Sequence, residues 1–531
     1  MPALPLATAG GHRPQHSADR VPSHSHSSPS PLILAFVPTV CTTQDAVGES
    51  IQNVGLAQAI QNGLSKGQQV EPQWASADAV SGKASELRAL GPEALSKLRF
   101  GAWVMSEYEA ATGKSLSAVG APGAARMSVA TVPEVDGGAP TSSAAWDEFT
   151  ETAAFQLMAK YMAYADKLKA EPVTHKQFHE ARPLGKGAFG AVFLVFKKDT
   201  GMAMATKKMV KAIAKKNNMI KDVLIEREVL AKIRSRFCVN LHYSYQDDVT
   251  IYLVLTLAAG GDLQFLLKSR YPVKKGQFDP LPDGAVKFYA ASMACGLQAI
   301  HDAGYVYRDL KPQNVLLDAE GQVRISDMGL TADITGGPIK QCSGTRGYWS
   351  PETIKKEPYK TEPDWWSLGV TAFVLFSSKI PFHGHDDEEK DAATCKGEID
   401  YKHDEPKDLQ EFISALCTID KSARLGANGG VAQIKAHPYM KDVDWVKLEA
   451  GLVDAEIKPN PNDINAPSRS EVDAFKKPKD VDWTAEDEKA FDNWNFMNAG
   501  LWQEEAIFRI KMKGEIKGMG GGGGGGCCTV S

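Results

Sequence analysis

The sequence predicts an α+β fold in which a strand-rich stretch and a helix-rich stretch lie between helical segments at either end. Three observations lead there. Apolar residues recur at three- and four-residue spacing in parts of residues 45–164 and again over Asp487–Lys513. From about residue 178 to residue 256 the pattern changes to short β-type runs broken by turn residues. Beyond Gly260 long helical patterning returns, most clearly over Gly284–His301.

The 531 residues correspond to two to four domains at about 150 residues each. A composition of 43% hydrophobic and 24% charged residues is ordinary for a chain with a sizeable core. The net charge of -5 and the pI near 6.2 give no sign of a nucleic-acid partner. Cysteines stand at 41, 238, 295, 342, 395, 417, 527 and 528, with no zinc-type spacing, and read as free thiols apart from the adjacent Cys527 and Cys528. No apolar run reaches the roughly 18 residues that span a bilayer. Residues 1–44 carry one acid, Asp19, and are rich in His, Ser and Pro. They are expected to form a disordered leader, with a secretory or transit segment around Pro31–Val40 as the alternative.

Taken in order, Ser50–Ile60, Ser85–Leu90 and Leu95–Tyr108 read as helices. Thr112–Ser142 is Ala-, Gly-, Pro- and Ser-rich and reads as a linker. Helix resumes with Ser143 as N-cap, Asp147 and Glu148 on the favourable end of the dipole, and continues through Phe155–Tyr164. Strands follow at Leu184–Phe196 and Met202–Lys208, separated by the turn Asp199–Gly201. The first carries Gly185-Lys186-Gly187-Ala188-Phe189-Gly190-Ala191-Val192. Such a glycine-rich hairpin lets backbone N–H groups approach phosphates closely. No helix opens directly after it, which argues against a dinucleotide-binding turn.

Tyr307–Asn314 places an acid, Asp309, a cation, Lys311, and an amide, Asn314, in one short loop. Phosphoryl transfer needs a carboxylate for the attacking hydroxyl, a cation near the γ-phosphate and an amide oxygen for Mg²⁺. The loop resembles the protein-kinase catalytic loop, with Tyr307 where His is usual. On that resemblance Leu184–Val192 covers the ATP phosphates. Lys207, seventeen residues after Gly190, reaches the α- and β-phosphates, with Lys208 the competing choice. Glu226 holds Lys207, with Glu228 the runner-up. The intervening basic stretch Lys211–Lys221 reads as a solvated face rather than a docking site. Ile251–Leu255 is a buried strand, and Thr256, Leu257 and Ala258 form a hinge for adenine. Asp327, in Val323–Gly329, and Asn314 hold Mg²⁺. Met328 and Ser350 replace the usual Phe and Ala of their motifs. Glu352 and Arg424 form a buried pair, and Asp364 is a structural residue.

Residues 178–440 are similar to AGC-type Ser/Thr kinases, and most similar to the G protein-coupled receptor kinase family. Lys167–Phe178, Leu253–Leu263, Val306–Leu310, Arg324–Leu330, His437–Tyr439, Lys447–Leu452 and Trp502–Ile507 carry that resemblance. It implies a bilobal protein-kinase fold inserted in an all-α RGS-homology-like bundle. Residues 45–176 and 485–513 make the bundle, 178–440 the kinase domain and 441–484 a C-terminal extension. It implies ATP and Mg²⁺ as cofactors, an activated membrane receptor as substrate and G-protein subunits as further partners. Another AGC-type kinase, or a G-protein-binding scaffold, is the alternative. Arg308 commonly grips an activation-loop phosphate, yet the matching position is Gln341. The loop is therefore expected to be ordered by packing and a bound partner. Residues 514–531 form a glycine tether, Gly520–Gly526, and end in Cys528-Thr529-Val530-Ser531. That ending fits C-a-a-X and predicts farnesylation of Cys528, with palmitoylation of Cys527 and Arg509, Lys511, Lys513 and Lys517 facing anionic lipid.

Overall fold

The computed structural model describes residues 76–96, 99–112, 116, 144–170, 173–186, 190–270, 281–401, 405–459, 481–498 and 500–513. The leader, the Ser50–Ile60 helix, nearly all of the linker and the cysteine tail lie outside the described residues. Four helices come first: α1 (Ala77–Ser96), α2 (Arg99–Thr112), α3 (Ala144–Thr150) and α4 (Ala153–Ala170). Helix α1 is kinked because Gly91 takes φ 74°, and Pro92 then starts the next turn.

The strand-rich lobe follows. Strands β1 (Phe178–Lys186), β2 (Gly190–Lys197) and β3 (Ala203–Val210) lead into helices α5 (Lys211–Lys216) and α6 (Ile220–Lys232). Strands β4 (Leu241–Gln246) and β5 (Thr250–Thr256) complete the run. The helical lobe opens with α7 (Leu263–Arg270) and the long central helix α8 (Asp283–Asp302). Two short antiparallel pairs then build the cleft floor: β6 (Tyr305–Val306) with β9 (Ala332–Asp333), and β7 (Val315–Leu317) with β8 (Val323–Ile325). Beyond them lie α9 (Pro351–Ile354) and α10 (Glu362–Ser377), whose residues are buried from Pro363 to Ser377. The kinase-type two-lobed arrangement expected from the resemblance is present.

The terminal segment corrects one expectation. Asp487–Lys513 is not a single helical run. It comprises helix α11 (Ala485–Lys489), strand β10 (Phe496–Met497) and helix α12 (Leu501–Lys513). Strand β10 adds antiparallel to β4, giving the sheet order β1-β2-β3-β5-β4-β10. The reason is where the aromatic rings go. Phe491 and Trp494 bury in the core beside α6 rather than forming a helical stripe. Trp494 Nε1 donates to the Tyr245 carbonyl at 3.0 Å, and Arg227 Nε donates to the Trp494 carbonyl at 3.2 Å.

The lysine-rich stretch is corrected by the same segment. Lys211 is 2% exposed and pairs with Glu488 at 2.6 Å, across 277 residues of chain. Lys215 pairs with Asp487 at 2.6 Å. These lysines seat an acidic helix, which no local charge pattern reveals.

Helix α12 turns back to the first four helices. Ala506 and Ile510 share one core with Leu87, Phe100, Trp146, Phe149, Phe155 and Met158. The Gln503 side chain accepts from the Phe100 N–H at 2.9 Å. A buried charge network ties this core to the sheet. Lys197 sits between Asp199 at 2.7 Å and Glu505 at 2.9 Å, and the Tyr243 hydroxyl donates to Glu505 at 2.5 Å. Tyr164 and Arg509 both donate to Asp199.

In the helical lobe Arg424 grips Glu352 with both nitrogens, at 2.5 and 2.9 Å, and both residues are buried. Burial favours the neutral acid, but Arg424 outweighs it and holds the Glu352 carboxyl below its ordinary value. Arg424→Met is expected to cost roughly 3–5 kcal/mol, because it strands a buried carboxylate. Urea unfolding near neutral pH measures this. The difference from the unaltered protein should shrink as pH falls through the carboxylate range, since a lowered folded-state pKa gives stability that acid removes.

Candidate active site

Strands β1 and β2 pair antiparallel with register shifts between Glu180 and Arg182 and between Pro183 and Gly185, and end with Gly185 opposite Val192 and Lys186 opposite Ala191. At Gly190 an added Cβ would lie 1.7 Å from the Lys208 carbonyl oxygen, so the close approach of β3 demands glycine there. Around Gly185 nothing lies within 4 Å of such a Cβ, so packing does not explain that glycine. Gly187, Ala188 and Phe189 lie outside the described residues, as does the side chain of Lys186.

Alternation along β3 separates the two candidate lysines. Lys207 turns into the cleft and pairs with both oxygens of Glu226, at 2.7 and 2.9 Å. Lys208 turns to the other face, pairs with Glu180 and lies 4.5 Å from the Phe193 ring centre. The choice between glutamates is equally plain. Glu228 instead meets Lys232 at 2.8 Å and the Tyr305 hydroxyl at 2.9 Å. Burial disfavours the Lys207 charge, but Glu226 and Asp327 more than offset it and hold the ammonium above its ordinary value. Burial pushes the Glu226 carboxyl up, while Lys207 pulls it down.

The chain leaves β5 at Thr256, whose N–H donates to the Asn240 carbonyl at 3.0 Å. Its hydroxyl lies 3.0 Å from His242 Nε2, and burial pushes His242 down to about 3, so this imidazole is neutral. Leu184 and Leu257 pack against Leu194 and Phe196, which brings β1 and the hinge into one apolar cluster. Ala258 follows, half-buried. These surfaces suit a flat apolar base edge-bound to backbone.

Asp364 shapes the catalytic loop from below. Its carboxylate accepts from the Tyr307 N–H at 2.8 Å, the Arg308 N–H at 2.7 Å and His301 Nε2 at 2.7 Å. Tyr307 is buried, and its hydroxyl donates to the Ser326 carbonyl at 2.5 Å, tying this loop to the strand end before Asp327. Arg308 takes φ 72° and Asp327 φ 55°, a left-handed conformation that costs energy in non-glycine residues and gathers at functional sites.

Asp309 is 5% exposed and fully engaged. One oxygen accepts from Lys311 at 2.7 Å and from the Asn314 amide at 2.7 Å. The other accepts from the Thr345 hydroxyl at 2.6 Å. Lys311 also donates to Thr345 at 2.6 Å. Asn314 turns its nitrogen to Asp309, which leaves the amide oxygen for a cation. Asp327 is 56% exposed at its side chain and its Oδ1 lies 3.8 Å from Lys207. Two hard oxygen donors fit Mg²⁺, which takes few protein ligands and would complete its shell with nucleotide phosphates and water.

Sequence reasoning missed Thr345. Nothing in the spacing brings its hydroxyl to Asp309 across 36 residues. Gln341 offers Arg308 no phosphate, but it does offer a bond. Its amide oxygen accepts from Arg308 Nη1 at 2.9 Å. Removing one oriented side chain from this set should be costly. Thr345→Val keeps the shape and loses the hydroxyl, and phosphoryl transfer is expected to fall about 10²-fold, a typical cost of ångström-scale misplacement. Steady-state rates on a hydroxyl-bearing peptide check this.

A protein kinase domain model matches residues 178–440. The chain is 34% identical over 370 residues to rhodopsin kinase grk7a of Danio rerio, covering 68% of this chain and 66% of that protein. It is 34% identical over 374 residues to human rhodopsin kinase GRK7, covering 69% and 64%. It is 35% identical over 352 residues to G protein-coupled receptor kinase 2 of Drosophila melanogaster, covering 64% and 48%. The matched part thus spans a little under two thirds, or less, of these relatives' lengths. The motifs, the two-lobed fold and these likenesses together place the chain in the G protein-coupled receptor kinase family.

Proposed function

We propose that this chain is a protein Ser/Thr kinase that transfers the γ-phosphoryl group of ATP to hydroxyls of activated G protein-coupled receptors at the cytoplasmic face of the membrane. One observation carries the catalytic part. The Asp309 carboxylate, held by Lys311, Asn314 and Thr345, shares one cleft with the Lys207–Glu226 pair and Asp327. Asp309 accepts or orients the proton of the attacking hydroxyl, and Lys311 stands ready for the γ-phosphate oxygens. Lys207, aimed by Glu226, holds the α- and β-phosphates. The glycine loop from Leu184 to Val192 covers them, and the backbone of Thr256 and Ala258 receives adenine. Asn314 and Asp327 would hold Mg²⁺, which supplies charge neutralisation at the β- and γ-phosphates. The receptor as substrate is supported by the relatives' names, which specify rhodopsin kinases and a receptor kinase.

The helical region has its own reading. Helices α1–α4 and α12 share one core although the kinase domain separates them in sequence. This supports an RGS-homology-like bundle with the kinase inserted, and a surface for G-protein subunits. Among the described residues no helix is long and apolar enough to cross a membrane. Membrane contact is assigned to the tail, through a farnesyl group on Cys528, a palmitoyl group on Cys527 and the lysines Lys511, Lys513 and Lys517; Arg509, expected to face anionic lipid, is instead 1% exposed and donates to the Asp199 carbonyl.

Asp327→Asn is expected to remove phosphoryl transfer to every substrate while leaving the fold intact. Normal turnover by the purified variant would falsify the catalytic assignment. Agonist-occupied receptor should be phosphorylated faster than the same receptor empty; equal rates point to an AGC-type kinase with other substrates. Cys528→Ser is expected to move the protein from the membrane to the soluble fraction on cell fractionation, and persistent membrane association defeats the lipid-anchor reading.

A further inference from the structure

Among the described residues the Arg308 guanidinium has no carboxylate among its hydrogen-bond acceptors. Its guanidinium donates to the Leu330 carbonyl at 2.7 Å, the Thr331 carbonyl at 3.5 Å and the Gln341 amide oxygen at 2.9 Å. Activation segments are commonly ordered when a phosphate pairs with such an arginine. Here the position is filled by a neutral amide. The same short segment touches the catalytic loop twice more. An added Cβ on Gly344 would lie 2.2 Å from the Arg308 carbonyl oxygen, so the two backbones are in close contact. Thr345 then reaches Asp309 and Lys311. Gln341 is therefore the outer end of a clasp whose inner end is the Thr345 hydroxyl.

We infer that Gln341 is a positioning residue for catalysis: its amide oxygen holds Arg308, registers residues 341–345 on the catalytic loop, and so sets the Thr345 hydroxyl against Asp309. The inference rests on the kinase reading above. Two features separate it from a general packing role. The Gln341 side chain is exposed, so shortening it exposes no core. Its backbone has an independent anchor, because the buried Tyr359 donates its hydroxyl to the Gln341 carbonyl and Tyr359 pairs through its backbone with Ile339. Substitution of the side chain alone leaves those bonds in place. The requirement is for an acceptor, which a carboxylate satisfies more strongly than an amide.

The test uses the full chain and three single variants at this position, Gln341→Ala, Gln341→Met and Gln341→Glu, with Thr345→Val and one double variant beside them, assayed with ATP and a fixed peptide substrate. Methionine matches the length of glutamine and lacks a strong acceptor. Expected for Gln341→Ala and Gln341→Met is a fall in kcat of about tenfold, the loss typical of one hydrogen bond to a charged group, with KM for ATP nearly unchanged. Gln341→Glu should restore at least the unaltered kcat, more so at low salt. A double variant Gln341→Ala/Thr345→Val should fall little below Thr345→Val alone, because both act through the same hydroxyl. Unaltered kcat in Gln341→Ala and Gln341→Met overturns the inference, as does a Gln341→Glu variant as slow as alanine. An unaltered protein that transfers no phosphate defeats the kinase reading instead, so the two failures are told apart.

Discussion

The buried carboxylate of Asp364 is the anchor on which the catalytic centre depends. It is 0% exposed and accepts the backbone N–H groups of Tyr307 and Arg308 as well as His301. A carboxylate in such a place is stable only when its oxygens are fully satisfied. Because the two backbone donors are consecutive, their satisfaction fixes the loop and permits the left-handed Arg308. That conformation in turn presents Asp309 to Lys311, Asn314 and Thr345. The energy stored at Arg308 and Asp327 is held by the surrounding bonds, which is the usual way a functional site keeps strained backbone.

A second constraint comes from the far end of the chain. The strand-rich lobe is completed by residues 485–497, which add a strand, fill the space beside α6 with Phe491 and Trp494, and neutralise Lys211 and Lys215. Helix α6 also carries Glu226, the partner of Lys207. Packing on one face of α6 and ion pairing on the other are therefore parts of one arrangement. Continuing past this seat, the chain enters the helical core through α12, where Glu505 meets the buried Lys197. The last described helix thus joins three bodies of structure: the α1–α4 core, the sheet and the segment leading from it.

The site was more legible than the ends. Lys207, Glu226, Asp309, Lys311, Asn314, Asp327, Glu352, Asp364 and Arg424 are identifiable because their chemistry is bound to short motifs of fixed spacing. Strand alternation alone favours one of Lys207 and Lys208, and the fold agrees with the choice. Thr345 was not assigned, since its partner lies 36 residues away and a hydroxyl carries no distinctive pattern; Gln341 was matched to the Arg308 seat, but the bond its neutral amide makes there was not foreseen. The expectation for Lys211–Lys221 failed for a related reason. A run of lysines looks solvated until its acids arrive from elsewhere in the chain.

Two kinds of information therefore divide the molecule. The sequence by itself determined the reaction class, the order of the lobes and the residues proposed for the phosphate site, because local periodicity and motif spacing are properties of neighbouring residues. The tertiary structure decided that residues 485–497 build onto the sheet, that α12 alone of the terminal segment joins the helical core, and that a neutral amide occupies the Arg308 seat. Those outcomes depend on contacts across tens to hundreds of residues, where burial and charge satisfaction in three dimensions outweigh local pattern.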